Sequence, residues 1–302
     1  MAAGRIGGYG VSSNTFASAA SDPEFTSLTT MMALARTAGG AGHHFRVVQL
    51  PLNLMEPGAV LVKNNGPDES ETVLETAARE GLGVLVNRPL NAILGEGMLR
   101  LAVPPTMRAE VDFEMQRQHL ASLEDEYRQA FAPYIRLGDE RVRADDLFRW
   151  SADLAELPLR IDSLEHWEAI EQQRILPALF SVVRALDAAM EGPVSEAWQQ
   201  WRDRYLGEMQ KLLAELRRRA AEKTRARVEA VTAAIDPMLP AERRAESLSR
   251  KALWTVASTP GVSSVLNGMR RVKYVDDALG ILPWPPLADV RAVYGAAKEV
   301  VV

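Results

Sequence analysis

The 302-residue chain contains no cysteine. That excludes a disulfide framework, a thiolate metal site and a cysteine nucleophile, and it suits a reducing compartment. Aromatic residues are few, at 6%, and neither sign of charge dominates: 35 Lys and Arg stand against 40 Asp and Glu, a formal net charge of −5. A chain so balanced lacks the positive field with which proteins hold nucleic acid. There is no run of ~18 uninterrupted apolar residues, the length a membrane span requires. The opening residues, MAAGRIGGYG, have no apolar core of the kind a secretory signal carries. These absences predict a cytoplasmic, soluble protein with neither nucleic acid nor a membrane as its partner.

What is present is ordinary for a globular protein: 47% hydrophobic and 25% charged residues, enough for one large domain or two smaller ones. The chain changes character twice. Residues 1–106 hold most of the glycine and short apolar runs, residues 107–247 are nearly glycine-free and periodic, and residues 248–302 return to the mixed pattern.

In the first stretch Ile6 to Val11 reads as a strand that ends at the polar turn Ser12-Ser13-Asn14. A helix follows over Ser27–Thr37, closed by Gly39-Gly40, where glycine tolerates the left-handed conformation of a C-cap. Phe45 to Leu50 is a second strand stopped by Pro51, Glu69–Glu80 a helix ended by Gly81, and Gly83 to Asn87 a third strand stopped by Pro89. In the last stretch a helix over Leu248–Ser258 is broken by Thr259-Pro260-Gly261, Val262 to Leu266 is a fourth strand, and Val272–Leu279 a further helix. Continuous apolar strands alternating with helices predict a parallel α/β sheet covered on both faces.

The middle stretch reads as all-helical. Trp198, Trp201, Tyr205, Met209, Leu212, Leu216 and Ala220 recur at steps of three and four, as Leu164, Trp167, Ile170, Leu179, Val183, Leu186 and Met190 largely do. With Gly192-Pro193 between the two runs, this predicts a long antiparallel helical hairpin, with shorter helices around Phe113–Phe131 and Asp145–Leu154. The charged run from Arg217 to Arg227, interleaved with Glu215, Glu222 and Glu229, reads as a solvated helix face.

Several tempting motifs read as structural. The glycines at 4, 7, 8 and 10 precede and enter a strand, whereas a phosphate-cradling loop follows one. His43-His44 has no third ligand at metal-binding spacing, His119 and His166 read as solvent-facing on helices, and Asp276-Asp277 as part of a helix.

Four segments in order resemble the aldo-keto reductase family. Gly8-Tyr9-Gly10-Val11-Ser12-Ser13-Asn14-Thr15-Phe16 resembles the end of its fifth barrel strand. Val47-Val48-Gln49-Leu50-Pro51-Leu52-Asn53 is similar to the sixth, with a glutamine and, four residues later, an asparagine. Glu80 to Leu90 resembles the seventh, ending in Pro-Leu, and Ser258 through Gly268 to Leu279 the eighth strand with its helix. The resemblance covers residues 4–106 and 248–302 and implies half of a (β/α)8 TIM barrel, four parallel strand–helix units, plus an all-helical insertion at residues 107–247. It further implies an NADP or NAD cofactor at the carboxyl ends of the strands. Ser12, Ser13 or Asn14, with Gln49, would hold the nicotinamide carboxamide. Arg88 and Leu90 would lie along the ribose and pyrophosphate, and Gly268, Met269, Arg270 and Tyr274 would hold the adenosine phosphate end, with Arg270 or Arg271 pairing the phosphate.

The sequence also departs from the family. Asn87 stands where many members carry an aromatic ring, Tyr274 where arginine or glutamine is usual, and Ala278 where asparagine contacts the adenine. The family's catalytic aspartate, tyrosine, lysine and histidine belong to the second to fourth strands, and no segment matches them, so no catalytic residue is assigned. The polar residues at the strand ends also read as turn-capping groups of a scaffold, and Arg88 as neutralising Glu80 or Glu96. The expectation is the cofactor side of a site acting on a small carbonyl or alcohol, inactive alone. A separate chain completes it with the other half barrel, two copies pair as a homodimer, or the reading frame continues upstream. The alternative is a non-catalytic interaction or scaffold protein on a degenerate half barrel, whose helical arm binds a protein partner. The resemblance makes the helical insertion a lid or a docking arm, and the plain physical reading makes it a cover for apolar surface.

Overall fold

The protein is described from a computed structural model, which covers residues 4–95, 97–136, 143–190, 192 and 194–300. The chain forms two compact units. An α/β unit takes the described residues up to 95, 100–103 and from 227 onward, and a helical unit takes 97–99 and 104–226.

The α/β unit opens with strand β1 (Tyr9–Ser12). Helix α1 (Leu28–Gly39) follows, its first turn capped by the Ser27 hydroxyl, which accepts from the Thr30 N–H. Gly40 ends it at φ 62, a left-handed conformation that costs glycine little. Strand β2 (Phe45–Pro51) comes next. A small antiparallel ladder, Lys63–Asn65 with Glu71–Thr72, delivers the chain to helix α2 (Val73–Arg79). That ladder is why the helix starts at Val73 rather than Glu69. Thr72 and Glu75 then close a reciprocal capping box. Strand β3 (Gly83–Asn87) completes the first three strands, and the chain is again extended over Asn91–Leu94, the start of a hairpin.

The helical unit contains α3 (Phe113–Ala130), α4 (Leu164–Ile170), α5 (Leu176–Ala189) and most of α6 (Val194–Ile235). Between α4 and α5 the chain winds as a π-helix over Glu171–Ile175. Pro177 follows in the first turn of α5, and its missing N–H accounts for the local loosening. The core is aromatic: Trp201 stacks on Trp198 at 5.2 Å and on Tyr205 at 4.9 Å, and Phe148 meets Tyr127, Trp201 and Tyr205 edge-on. The Trp201 indole donates to the Leu123 carbonyl and that of Trp198 to Asp187, which removes the cost of burying their N–H groups. Glu124, fully buried, accepts from the Ser151 N–H, the Ser151 hydroxyl and the Tyr205 hydroxyl. Arg217 pairs with Glu168 and Glu171, Arg218 with Glu215 and Glu222, and Arg219 with Glu215.

Past Arg227 the chain is again in the α/β unit. Helix α7 (Leu248–Ala257) buries Lys251 completely, its ammonium donating to Asp236 at 2.6 Å and to the Arg244 carbonyl. Strand β4 (Ser264–Val265) is shorter than the apolar run suggests, because the Ser263 hydroxyl takes the place of a backbone acceptor for the Val84 N–H. Helices α8 (Val272–Leu279) and α9 (Val290–Lys298) finish the unit.

The four strands form one parallel sheet in the order β1-β2-β3-β4. Its two faces differ. Val48, Leu50, Val84 and Val86 are fully buried on one. On the other, Ser12 lies beside Gln49, Gln49 beside Leu85, and Leu85 beside Ser264, and these residues are half-buried or exposed. The strands are therefore not covered evenly on both faces, although their apolar runs suggested it. Gly10 sits where β1 comes closest to β2: a Cβ there would lie 2.5 Å from the Val47 carbonyl oxygen. No described helix is long and apolar enough to cross a membrane.

Candidate functional site

The ten residues singled out by the sequence all fall in the α/β unit, at or beyond the carboxyl ends of its four strands, apart from Gln49 within β2. Parallel pairing places Ser12 directly beside Gln49. Ser12 is exposed and Gln49 half-buried, so both present neutral hydrogen-bonding groups on the more open face. Ser13 is committed elsewhere. Its N–H donates to the Gln49 carbonyl at 3.0 Å, and its hydroxyl shares a cluster with those of Thr15 and Thr26. Asn14 is exposed. Gly268, Met269 and Arg270 are exposed in the loop after β4, and Tyr274 is half-buried on α8.

The end of β3 is the most ordered part of the site. Asn53, fully buried, accepts the N–H groups of Met55 and Glu56 on its Oδ1, so its side chain folds the chain back just after β2. Its amide donates to Glu56 at 2.8 Å and to the carbonyl of Arg88 at 3.3 Å. Glu56 in turn accepts from the Arg88 guanidinium at 2.9 Å and from the Ile93 N–H at 2.9 Å. Arg88 therefore pairs with Glu56 rather than Glu80, which is held by Arg36 and Arg79. Glu96 lies outside the described residues. Leu90 is half-buried, and its carbonyl accepts from Leu101.

Two features of this corner are unusual. Arg88 has φ 52, a left-handed backbone that costs a non-glycine residue about 1–3 kcal/mol and concentrates at functional sites. The Asn87 side-chain oxygen Oδ1 and the Arg88 Nε are buried without a hydrogen-bond partner. An acceptor and a donor in consecutive residues are thus desolvated and unmatched, a state that costs about 1–3 kcal/mol for each group. Asn53 entered the sequence reading only as part of a strand motif and Glu56 not at all. Their signal was the Asn-x-x-Glu spacing, which lets the amide cap the residues after it.

Elsewhere, the His44 Nδ1 lies 3.1 Å from the Gly7 carbonyl oxygen, and His43 lines a cleft of about 540 Å³ with Arg36, Arg46 and Glu80. Among the described residues no three His, Cys, Asp or Glu side chains come together as a metal site. His119 is exposed, but His166 is half-buried with its Nδ1 out of contact with water, contrary to the solvent-facing position expected. Asp277 accepts from Ser249 and pairs with Arg250, tying α8 to α7.

Compared with known proteins, the chain matches no family model, no curated protein and no solved structure.

Proposed function

We propose that the chain binds a nicotinamide dinucleotide, NADP or NAD, across the carboxyl ends of its parallel strands. It then forms the cofactor side of a site that reduces a small carbonyl compound or oxidises the matching alcohol. On this reading, which rests on the aldo-keto reductase-like segments, the four-stranded sheet is half of a (β/α)8 barrel with a helical insertion. The chain works in the cytoplasm and is inactive alone, since it carries no matched proton donor.

The observation that supports it best is the pairing of Ser12 with Gln49 on one rung, with the unmatched Asn87 oxygen and Arg88 Nε at the neighbouring strand end. An uncharged carboxamide needs both donors and acceptors, and these groups offer both. Arg88 is less available than its sequence position suggests, because Glu56 holds its guanidinium. Bound, the cofactor supplies hydride transfer; the chain's own residues orient the amide and keep water from the strand ends.

Fluorescence titration with NADPH tests the reading. Micromolar binding is expected, weakened on the order of tenfold by Gln49→Ala, the loss of one or two hydrogen bonds. No binding, or binding indifferent to Gln49, would sink it. Aldehyde reduction by the chain alone would refute the claim that it is inactive by itself.

A second reading, a non-catalytic interaction or scaffold protein, is favoured by the two sides of the sheet that have no strand neighbour among the described residues. It predicts no nucleotide binding and no effect of Gln49→Ala on association.

A further inference from the structure

The parallel sheet has two free sides. Among the described residues β1 has a strand neighbour only in β2, and β4 only in β3. Rows of unpaired N–H and C=O groups attract other strands, and proteins usually blunt them with charge, proline or a covering element. Neither edge strand carries a charge or a proline, with β1 reading Tyr-Gly-Val-Ser and β4 Ser-Val, although β4 has only two residues and β1 a register irregularity between Tyr9 and Gly10.

Apolar side chains are exposed beside both edges. Ile6 and Tyr9 are 55% and 40% exposed at the β1 side, and Leu266 and Met269 are 42% and 50% exposed at the β4 side. Helix α8, which follows β4, buries none of its residues, and Val272 at its start is largely exposed. The charges that first follow the two strand ends are opposite, although Arg5 ahead of β1 and Asp276 on α8 are exposed too. After the carboxyl end of β4 come Arg270, Arg271 and Lys273, all exposed. After the carboxyl end of β1 come Asp22 and Glu24, half-buried and exposed. Because the strands are parallel, both strand ends lie at the same end of the sheet.

We propose that the two edges are the halves of one interface and that the occupant is a second copy of this chain. Strand β4 of each copy runs beside and parallel to β1 of the other, about a two-fold axis. The contact then occurs twice, the two four-stranded sheets close into one of eight strands, and no edge remains. Arg271 and Lys273 of one copy face Asp22 and Glu24 of the other, so the charges select the partner edge and its direction. The inference goes beyond nucleotide binding and needs none of it.

Sedimentation equilibrium of the full chain tests this. The expected mass is twice 33.2 kDa. Arg271→Glu with Lys273→Glu, or Asp22→Lys with Glu24→Lys, sets like charges against each other. Either pair should weaken association on the order of tenfold or more at low salt. An equimolar mixture of the two variants should recover the dimer, since both contacts then join opposite charges. A monomeric wild-type chain overturns the proposal, as does an open-ended series of masses or a mixture that stays monomeric. NADPH titration of the wild-type chain and of the Asp22→Lys, Glu24→Lys variant, which leaves the cofactor residues untouched, reports separately on the cofactor reading, so either can fail without the other.

Discussion

The two units of this chain solve the same problem in different ways. In the helical unit every long helix satisfies its own backbone, and the aromatic core around Trp198, Trp201 and Tyr205 needs only side chains from within that unit. Even its fully buried carboxylate, Glu124, is enclosed by three donors. The α/β unit depends on neighbours. Among the described residues its sheet has two edges with no strand neighbour, and its second face carries Ser12, Gln49 and Ser264, half-buried or exposed. A helix closes its hydrogen bonds along its own length whereas a strand closes them sideways. An incomplete surface therefore appears in the sheet, and the candidate chemistry appears there too.

The largest expected effect tests whether the two cores are energetically separate. Trp201→Ala removes a fully buried indole, its stacking on two rings and its bond to Leu123. A loss of about 3–5 kcal/mol is expected in the helical unit. Hydrogen exchange should show the amides of α3 and α5 losing protection while those of β2 and β3 keep theirs. An equal loss in both units would break the comparison. Asn53→Ala is the converse change. It leaves the Met55 and Glu56 N–H groups without their acceptor and removes one of the two donors to the Arg88 carbonyl, for about 1–3 kcal/mol in the α/β unit. Protection should fall after β2 and at the start of the hairpin, with α3 unaffected.

Acid gives the smallest and most graded test. Burial pushes the Glu215 carboxyl up, but the bonds from Arg218 and Arg219 outweigh it and hold the group below the ordinary carboxylate range. A group lowered in the folded state contributes stability that is fully present above its unfolded pKa, about 4.3, and is lost as the pH falls through the folded value. Glu71, lowered by its bonds from Arg79 and Thr76, acts with the same sign in the α/β unit, but it is more exposed and better screened. Below about pH 4 the thermal midpoint should fall, and Glu215→Gln should flatten that fall more than Glu71→Gln does.

Much of the local structure was legible in the residues. β2 and β3 follow from β-branched runs stopped by Pro51 and Pro89, and α8 spans Val272–Leu279 as its pattern suggests. The helices over Leu164–Ile170, Leu176–Ala189 and Val194–Ile235 follow from their three-and-four spacing. What failed depended on pairing across the chain. β1 starts at Tyr9 rather than Ile6 because its first bond to β2 is the one from the Tyr9 N–H to the His44 carbonyl. The sheet's uneven faces depend on what packs against each, which a one-dimensional run of valines does not encode. At the site, the rung shared by Ser12 and Gln49 needed the register of two strands. The partner of Arg88 was missed because Glu56 lies 32 positions away, reached only through the turn that Asn53 builds.

The stacked Trp198, Trp201 and Tyr205 also give the molecule an optical handle. Indoles held rigidly at 5.2 Å exchange excitation and produce a paired band in the near-ultraviolet circular dichroism that a loosened core erases. In the α/β unit Trp254 and Trp284 meet at 90°, a different coupling with a different band shape. Each unit thus carries its own chromophore pair, and the melting of one can be followed by colour while the other is still folded.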